Sequence, residues 1–259
     1  MKIAVLAKRV PDTATALQVA GDAKTVDMGA TPKFVISPYD EHAVEAAVQL
    51  KEAVGAEVVI VTVGTDAAKE TMRSALAMGA DAACVATAGD TEALTGRGAA
   101  ALLAAVLKET APDLILAGKQ AVDDDGSQVP ARVAQALGWP HVSAVKSLEL
   151  SDGKAAVVQD VEGGSKTYEV ALPAVFSVDK ALNKPRYPKL PNIMKAKKKP
   201  FDEKTAETLG VPKDAIEPRL VIEHLELPRQ ERRRNVMEGE GADNVATLVR
   251  LLREEAKAL

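Results

Sequence analysis

Apolar residues follow two alternating rhythms along the chain. Short unbroken runs, at Ile3 to Ala7, Glu57 to Val63, Ala83 to Ala86 and Leu114 to Ala117, have the continuous apolar character of strands buried on both faces. Between them, apolar positions recur at helical spacing. The clearest case is SPYDEHAVEAAVQLKEAVG, where Ala43, Ala46, Ala47, Leu50 and Val54 line one face. Ser37 can cap this helix and Pro38 fits its first position. Asp40 and Glu41 suit the positive end of its dipole, and Gly55 ends it. Further helices are expected from Gly64-Thr65 through Met78, from Gly98 to Thr110, and from about Val129 to Leu137. Strands alternating with helices of roughly 10–15 residues predict a doubly wound, mostly parallel α/β sheet of Rossmann-like winding.

Two stretches depart from that rhythm. Residues 17 to 36 suggest a weak hairpin. From Val142, polar turns at Ser151–Lys154 and Gly163–Gly164 separate alternating segments, which predicts an antiparallel hairpin insertion before PAVFSV returns to the main sheet. After Lys180 no regular element is expected until GADNVATLVRLLREEAKAL. There Asp243 can cap a helix whose Val245, Leu248, Leu252, Ala256 and Leu259 share a face. The expected organisation is an α/β nucleotide-binding domain over residues 1–183 and an extended partner-binding arm over 184–259. That arm carries a docking loop and a terminal helix whose apolar stripe packs on a partner.

The loop stands out most. Pro185 to Pro200, PRYPKLPNIMKAKKKP, contains four prolines, which argue against a continuous helix or a central strand. From Lys184 to Lys199 there are seven basic residues and no acid, surrounding Leu190, Ile193 and Met194. A positive collar around apolar side chains suits docking to a protein, and a solvated basic linker is the competing reading.

Composition narrows the classes. Of 259 residues 47% are hydrophobic but only 3% aromatic, so the core must be aliphatic. A net charge of −4 and a pI near 5.6 argue against general nucleic-acid binding. One cysteine, Cys84, excludes an internal disulfide, and the scattered His42, His141 and His224 do not suggest a metal cluster. No apolar run reaches the roughly 18 residues of a membrane span. The chain starts on a strand, KIAVLA, without room for a leader, so a soluble cytoplasmic protein is expected.

Open α/β sheets bind ligands beyond the carboxyl ends of their strands. Three loops leave such ends: Lys8–Thr13, Gly64–Asp66 and Gly118–Gln128. In GKQAVDDDGSQ, Gly126 lets the backbone turn, while Ser127 and Gln128 lead into a helix whose free N–H groups could hold a phosphate. Asp123, Asp124 and Asp125 suit such a site only if they point away or cap amides. A nucleotide phosphate, a plain connecting loop and a magnesium site all remain open. No G-x-G-x-x-G follows the first strand, no P-loop is present, and no Ser/His/Asp or Cys/His arrangement stands out. Cys84 reads as core and His42 as a solvated or capping residue. His141 has no assigned role, and Asp160 reads as a solvated acid beside a turn. No catalytic constellation is expected.

Several strings together resemble the beta subunit of electron transfer flavoproteins: Asn183–Pro200 with LPNIMKAKKKP at its core, GKQAVDDDGSQ, ALAMGAD, LAKRV and SPYDEHAVEAA. The resemblance runs in order along essentially the whole chain. It implies a heterodimer with an alpha subunit that holds most of a redox-active FAD. Such a carrier takes electrons from acyl-CoA and other dehydrogenases to a membrane quinone oxidoreductase, without inserting into the membrane and without catalytic residues of its own. It also implies a structural AMP in the beta subunit, bound by Leu6, the turn of Ser37, Pro38, Tyr39 and Asp40, Val63, and the loop with Ala121, Asp124, Gly126, Ser127, Gln128 and Val129. Metal is then not expected. The dehydrogenase-docking loop falls on Pro188–Lys197, with Leu190 as anchor beside Pro191, Ile193 and Met194, and Lys195 and Lys198 at methylatable positions. Asp160 stands where the family usually has a glutamate facing the flavin domain. Thr13 stands where mitochondrial-type members have a tyrosine near the flavin. A related group bifurcates electrons with a second FAD in place of AMP. Its loop has a glycine between two aspartates, where this chain has Asp123-Asp124-Asp125, so the AMP form is favoured. An ATP-using enzyme on a similar sheet is a further alternative.

Overall fold

A computed structural model describes residues 1–89, 94–228, 236–237 and 241–258. In chain order the strands are β1 (Lys2–Leu6), β2 (Arg9–Pro11), β3 (Gln18–Val19), β4 (Val26–Asp27), β5 (Phe34–Ile36), β6 (Glu57–Val63) and β7 (Ala82–Thr87). They continue as β8 (Leu114–Gly118), β9 (His141–Ser151), β10 (Lys154–Val161), β11 (Gly164–Ala171), β12 (Ala174–Val178) and β13 (Phe201–Thr205). The helices are α1 (Pro38–Val54), α2 (Ala67–Met78), α3 (Gly96–Thr110), α4 (Val129–Leu137), α5 (Leu190–Ala196), α6 (Lys213–Ile216) and α7 (Ala242–Glu254).

Nine strands make one sheet in the order β11-β10-β9-β12-β8-β1-β6-β7-β13. Every neighbouring pair from β9 to β13 is parallel, and β10 runs antiparallel to both β9 and β11. The expected α/β class and antiparallel insertion are therefore present. Each buried strand serves two cores, because successive side chains point to opposite faces. Ile3 and Val5 of β1 join Val44, Ala47 and Met72 of α1 and α2, whereas Ala4 and Leu6 join Leu102, Val106 and Val133 of α3 and α4. Aliphatic residues dominate both clusters, as the scarcity of aromatics requires.

From β1 the chain winds outward through α1, β6, α2 and β7, then α3 carries it back to β8 on the other side of β1. The winding reverses between β1 and β8. Loops leaving those two strands part towards opposite faces of the sheet, which opens a crevice at their carboxyl ends.

Four local expectations change. The proline-rich stretch contains α5, with Pro191 in its first turn, where a missing N–H costs nothing. Residues beyond Lys180 also supply β13, which extends the sheet beside β7, and α6, which packs on α3. The sequence hides β13 because FDEKT is mostly charged, a composition that suits an edge strand. Between residues 17 and 36, β3 pairs with β4, while β5 pairs with β2. Ser37 makes no side-chain cap at the head of α1.

Candidate functional site

At the crevice, Asp40 in the first turn of α1 joins the two strands that flank the switch point. Its Oδ2 accepts from the backbone N–H of Lys8 at 2.8 Å, and its Oδ1 from that of Gly118 at 2.9 Å. The approach needs a glycine, since a Cβ on Gly118 would lie 2.7 Å from the carbonyl carbon of Tyr39. Asp40 is buried, and burial pushes its carboxyl up to about 7. The two N–H bonds and Lys8 act in the opposite direction.

The three acids of the β8–α4 loop do not converge on a common point. Lys8 Nζ lies 2.7 Å from Asp123 Oδ2 and 3.1 Å from Asp124 Oδ2. Burial opposes the charge on Lys8, but these carboxylates hold its ammonium above its ordinary value. Asp124 Oδ1 also accepts from Gly126 N–H at 3.0 Å, and Asp125 accepts from Gln120 Nε2 at 2.5 Å. Asp125 and Ser127 take left-handed backbone angles, φ 47° and 52°, which fold the loop tightly before α4. Gln128, at the head of α4, makes no side-chain cap and instead accepts from Arg132. The acids are thus turned onto Lys8, Gln120 and a loop amide, and no side chain of Gln128 caps the head of α4. No group of three possible metal-ligating His, Cys, Asp or Glu side chains occurs among the described residues.

Leu6, Val63 and Val129 belong with Ala117 to one apolar cluster at this end of the sheet. Ser37, before α1, is fully buried, and its Oγ has no hydrogen-bond partner among the described residues. Tyr39 is half-buried, with Lys180 Nζ 4.5 Å and Lys119 Nζ 5.3 Å from its ring centre. Pro38 and Ala121 are likewise half-buried. Asp40, Lys8, Gly118, Asp123 and Asp124 are thus tied together beside the cluster that holds Leu6, Val63 and Val129. Sequence reasoning missed the part of Lys8, which was legible only as a basic residue in LAKRV.

Thr13 is elsewhere, exposed on a turn that Asp12 stabilises by accepting from Ala14 N–H at 3.0 Å and pairing with Lys33 at 2.8 Å. Asp160 is exposed on β10 and pairs with Lys146 of β9. His42 is partnered rather than free, with Nδ1 3.1 Å from Asn183 Oδ1 while Asn183 Nδ2 donates to the His42 carbonyl at 2.9 Å. Cys84 is buried in β7, and burial pushes its thiol up to about 11, as expected of a core residue.

The Pro185–Pro200 stretch forms a second surface, beside α1 and α2. Tyr187, Leu190 and Met194 are 93%, 73% and 58% exposed, and Ile193 is 42% exposed. Pro191, Lys195 and Lys198 are exposed as well. Lys199 is not part of the collar. Its Nζ donates to the carbonyls of Leu76 at 2.9 Å and Ala80 at 2.5 Å, closing the carboxyl end of α2. The terminal α7 exposes Val245, Leu248 and Val249, and Leu259 of the expected stripe lies outside the described residues. No described helix is long and apolar enough to cross a membrane.

The sheet order and the parallel pairing define a doubly wound α/β protein whose winding reverses between β1 and β8. Comparison with known proteins makes this specific. Residues 29–209 match the electron transfer flavoprotein domain. Over 261 residues the chain is 40% identical to the electron transfer flavoprotein subunit beta of Bradyrhizobium diazoefficiens, covering all of both chains. It is 37% identical over 260 residues to that of Bacillus subtilis, again in full, and 45% identical over 201 residues to that of Syntrophomonas wolfei, covering 77% of this chain and 78% of the relative. The chain belongs to the electron transfer flavoprotein beta-subunit family.

Proposed function

We propose that this chain is the AMP-containing, non-bifurcating beta subunit of a cytoplasmic electron transfer flavoprotein. It pairs with an alpha subunit, takes electrons from acyl-CoA and related flavin dehydrogenases, and delivers them to a membrane quinone oxidoreductase. One observation carries the nucleotide assignment: the acids of the β8–α4 loop are bound to Lys8, Gln120 and Gly126, which leaves the Ser127–Val129 amides before Pro130 for an anion. The residues fit the nucleotide in other respects. Leu6, Val63 and Val129 offer an apolar wall for a base, with Ala121 nearby. The unpartnered Ser37 hydroxyl is a group that a ligand oxygen would satisfy.

When bound, FAD supplies the one- and two-electron chemistry. This chain's residues position rather than react. Ser127, Gln128 and Val129 direct amides at a phosphate, while Asp40 holds the β1 and β8 loops at fixed separation. Leu190 anchors the dehydrogenase with Pro191, Ile193 and Met194 around it, and Lys195 and Lys198 steer its approach. Asp160 and the Thr13 turn face the flavin-bearing domain. Residues 1–183 are the nucleotide-binding part and 184–259 the partner-binding part.

The test is co-expression with the alpha subunit, followed by mass spectrometry of the released nucleotides. One FAD and one AMP per heterodimer is the expected result. Two FAD would replace this reading by the bifurcating one, and ATP turnover by the isolated chain would replace it by an enzyme.

A further inference from the structure

The docking stretch is exposed where it would meet a partner, yet both its ends are anchored. At its far end, Ala196 is buried, Lys199 closes α2, and Arg73 NH1 donates to the Lys197 carbonyl at 3.0 Å. At its near end, just beyond the Asn183 contact with His42, Arg186 ties it to α1. Arg186 donates from Nε to Glu45 Oε2 at 2.9 Å and from NH2 to Glu45 Oε1 at 3.0 Å, and its backbone N–H donates to Glu45 Oε2 at 3.1 Å. It also donates from NH1 and NH2 to the two oxygens of Glu52, at 2.5 and 2.9 Å. Both acids lie on α1. Glu45 is only 3% exposed, and its remaining side-chain partner is Gln49, at 2.9 Å. A carboxylate so buried needs its cation, so the contact fixes a position rather than adding a loose surface pair.

We infer that Arg186 is the positioning residue of the docking surface, locking the segment that carries Tyr187, Leu190, Ile193 and Met194 onto α1 before any partner arrives. This rests on the docking role proposed above. Four exposed apolar side chains on a short proline-bearing segment cannot hold their own orientation by burial. Left mobile, they would be ordered only on binding, at the expense of affinity. A planar guanidinium engaging two carboxylates pairwise sets orientation as well as distance, which a lysine ammonium cannot reproduce. Arg186 thus serves the fold of the docking surface, and the collar that meets a partner is smaller than the composition suggests.

The experiment uses the holo heterodimer with Arg186→Lys, Glu52→Gln and Leu190→Ala, and a flavin dehydrogenase as electron donor with the carrier as varied substrate. Arg186→Lys should raise KM by roughly threefold to tenfold with kcat held, and Glu52→Gln should give a smaller rise. FAD and AMP content should stay at the parent value, and amide exchange should quicken within residues 184–196 only. Adding Arg186→Lys to Leu190→Ala should raise KM less than it does alone, because a misplaced anchor no longer matters once the anchor is gone. An unchanged KM in Arg186→Lys, beside a raised KM in Leu190→Ala, would overturn the inference and leave the docking surface standing. If Leu190→Ala itself leaves KM unchanged, the docking role fails and this inference with it.

Discussion

Asp40 Oδ1 lies 2.9 Å from the amide nitrogen of Gly118, in space that a Cβ on Gly118 would occupy at 2.5 Å from the same oxygen. The bond spans 78 positions and joins the head of α1 to the end of β8 across the switch point. It explains why a helix on one face and a loop running to the other keep a fixed separation. The spacing of the two strand ends is expected to depend on this contact.

Gly118→Ala tests that dependence. The added methyl would meet the carbonyl carbon and the Cβ of Tyr39, each at 2.7 Å, neither of which is a flexible tip. Overpacking of this kind costs about 1–3 kcal/mol. The variant should lose melting temperature and retain less than a full equivalent of AMP, as read by thermal denaturation and nucleotide analysis. Full AMP retention would show that the contact does not set the crevice.

Asp40 also predicts a pH signature. Its carboxyl is raised by burial from an ordinary 3.8 to about 7, so the folded state binds the proton more tightly than the unfolded one. Its favourable contribution is complete below 3.8 and is lost as pH rises through about 7. Asp40→Asn cannot titrate, and it leaves one of the two amides facing an N–H instead of an acceptor. The stability of the parent minus that of Asp40→Asn should therefore fall between pH 4 and pH 8, by up to a few kcal/mol. Burial lowers the pKa of His141, which acts in the opposite direction, but it is present in both proteins and cancels. Parallel denaturation curves across this range would refute the assignment.

How much of this was legible in the sequence depends on the range of the signal. Strands β1, β6 and β8 and helices α1 to α4 announce themselves, because continuous apolar runs and helical spacing are local patterns. The strand-end rule then pointed to the loops that Asp40 and Lys8 tie together. Helix α5 was hidden because seven residues make barely two turns and its prolines read as breakers, although Pro191 sits where proline is welcome. The pairing of Lys8 with Asp124 joins residues 116 positions apart, and Arg186 reaches Glu45 over 141. No local periodicity encodes contacts of that length. Three adjacent aspartates therefore looked hostile to an anion until their partners were known.

Leu190→Ala addresses the anchor itself. The side chain is largely exposed and supports no core contact that its loss would disturb. Removing it should weaken docking to the dehydrogenase by about 1–3 kcal/mol while FAD and AMP content stay full. The measurement is steady-state transfer with the carrier as varied substrate, together with the flavin absorbance of the purified heterodimer. A drop in flavin content would move Leu190 from docking to assembly.

The lysine cluster should divide by geometry. Lys198 is exposed, so Lys198→Glu should leave melting unchanged, slow association with the dehydrogenase and flatten its dependence on salt. Lys199 has its ammonium on two carbonyls at the carboxyl end of α2, where burial lowers its pKa below the ordinary value and cations are favoured. Lys199→Glu would put a carboxylate against those oxygens and the negative end of the helix dipole. It should lower the melting temperature and loosen α5 from α2, as read by amide exchange in both helices. Its effect on transfer should persist at high salt, because it acts through structure and not through steering. Identical salt profiles for the two variants would show that both lysines act as steering charges.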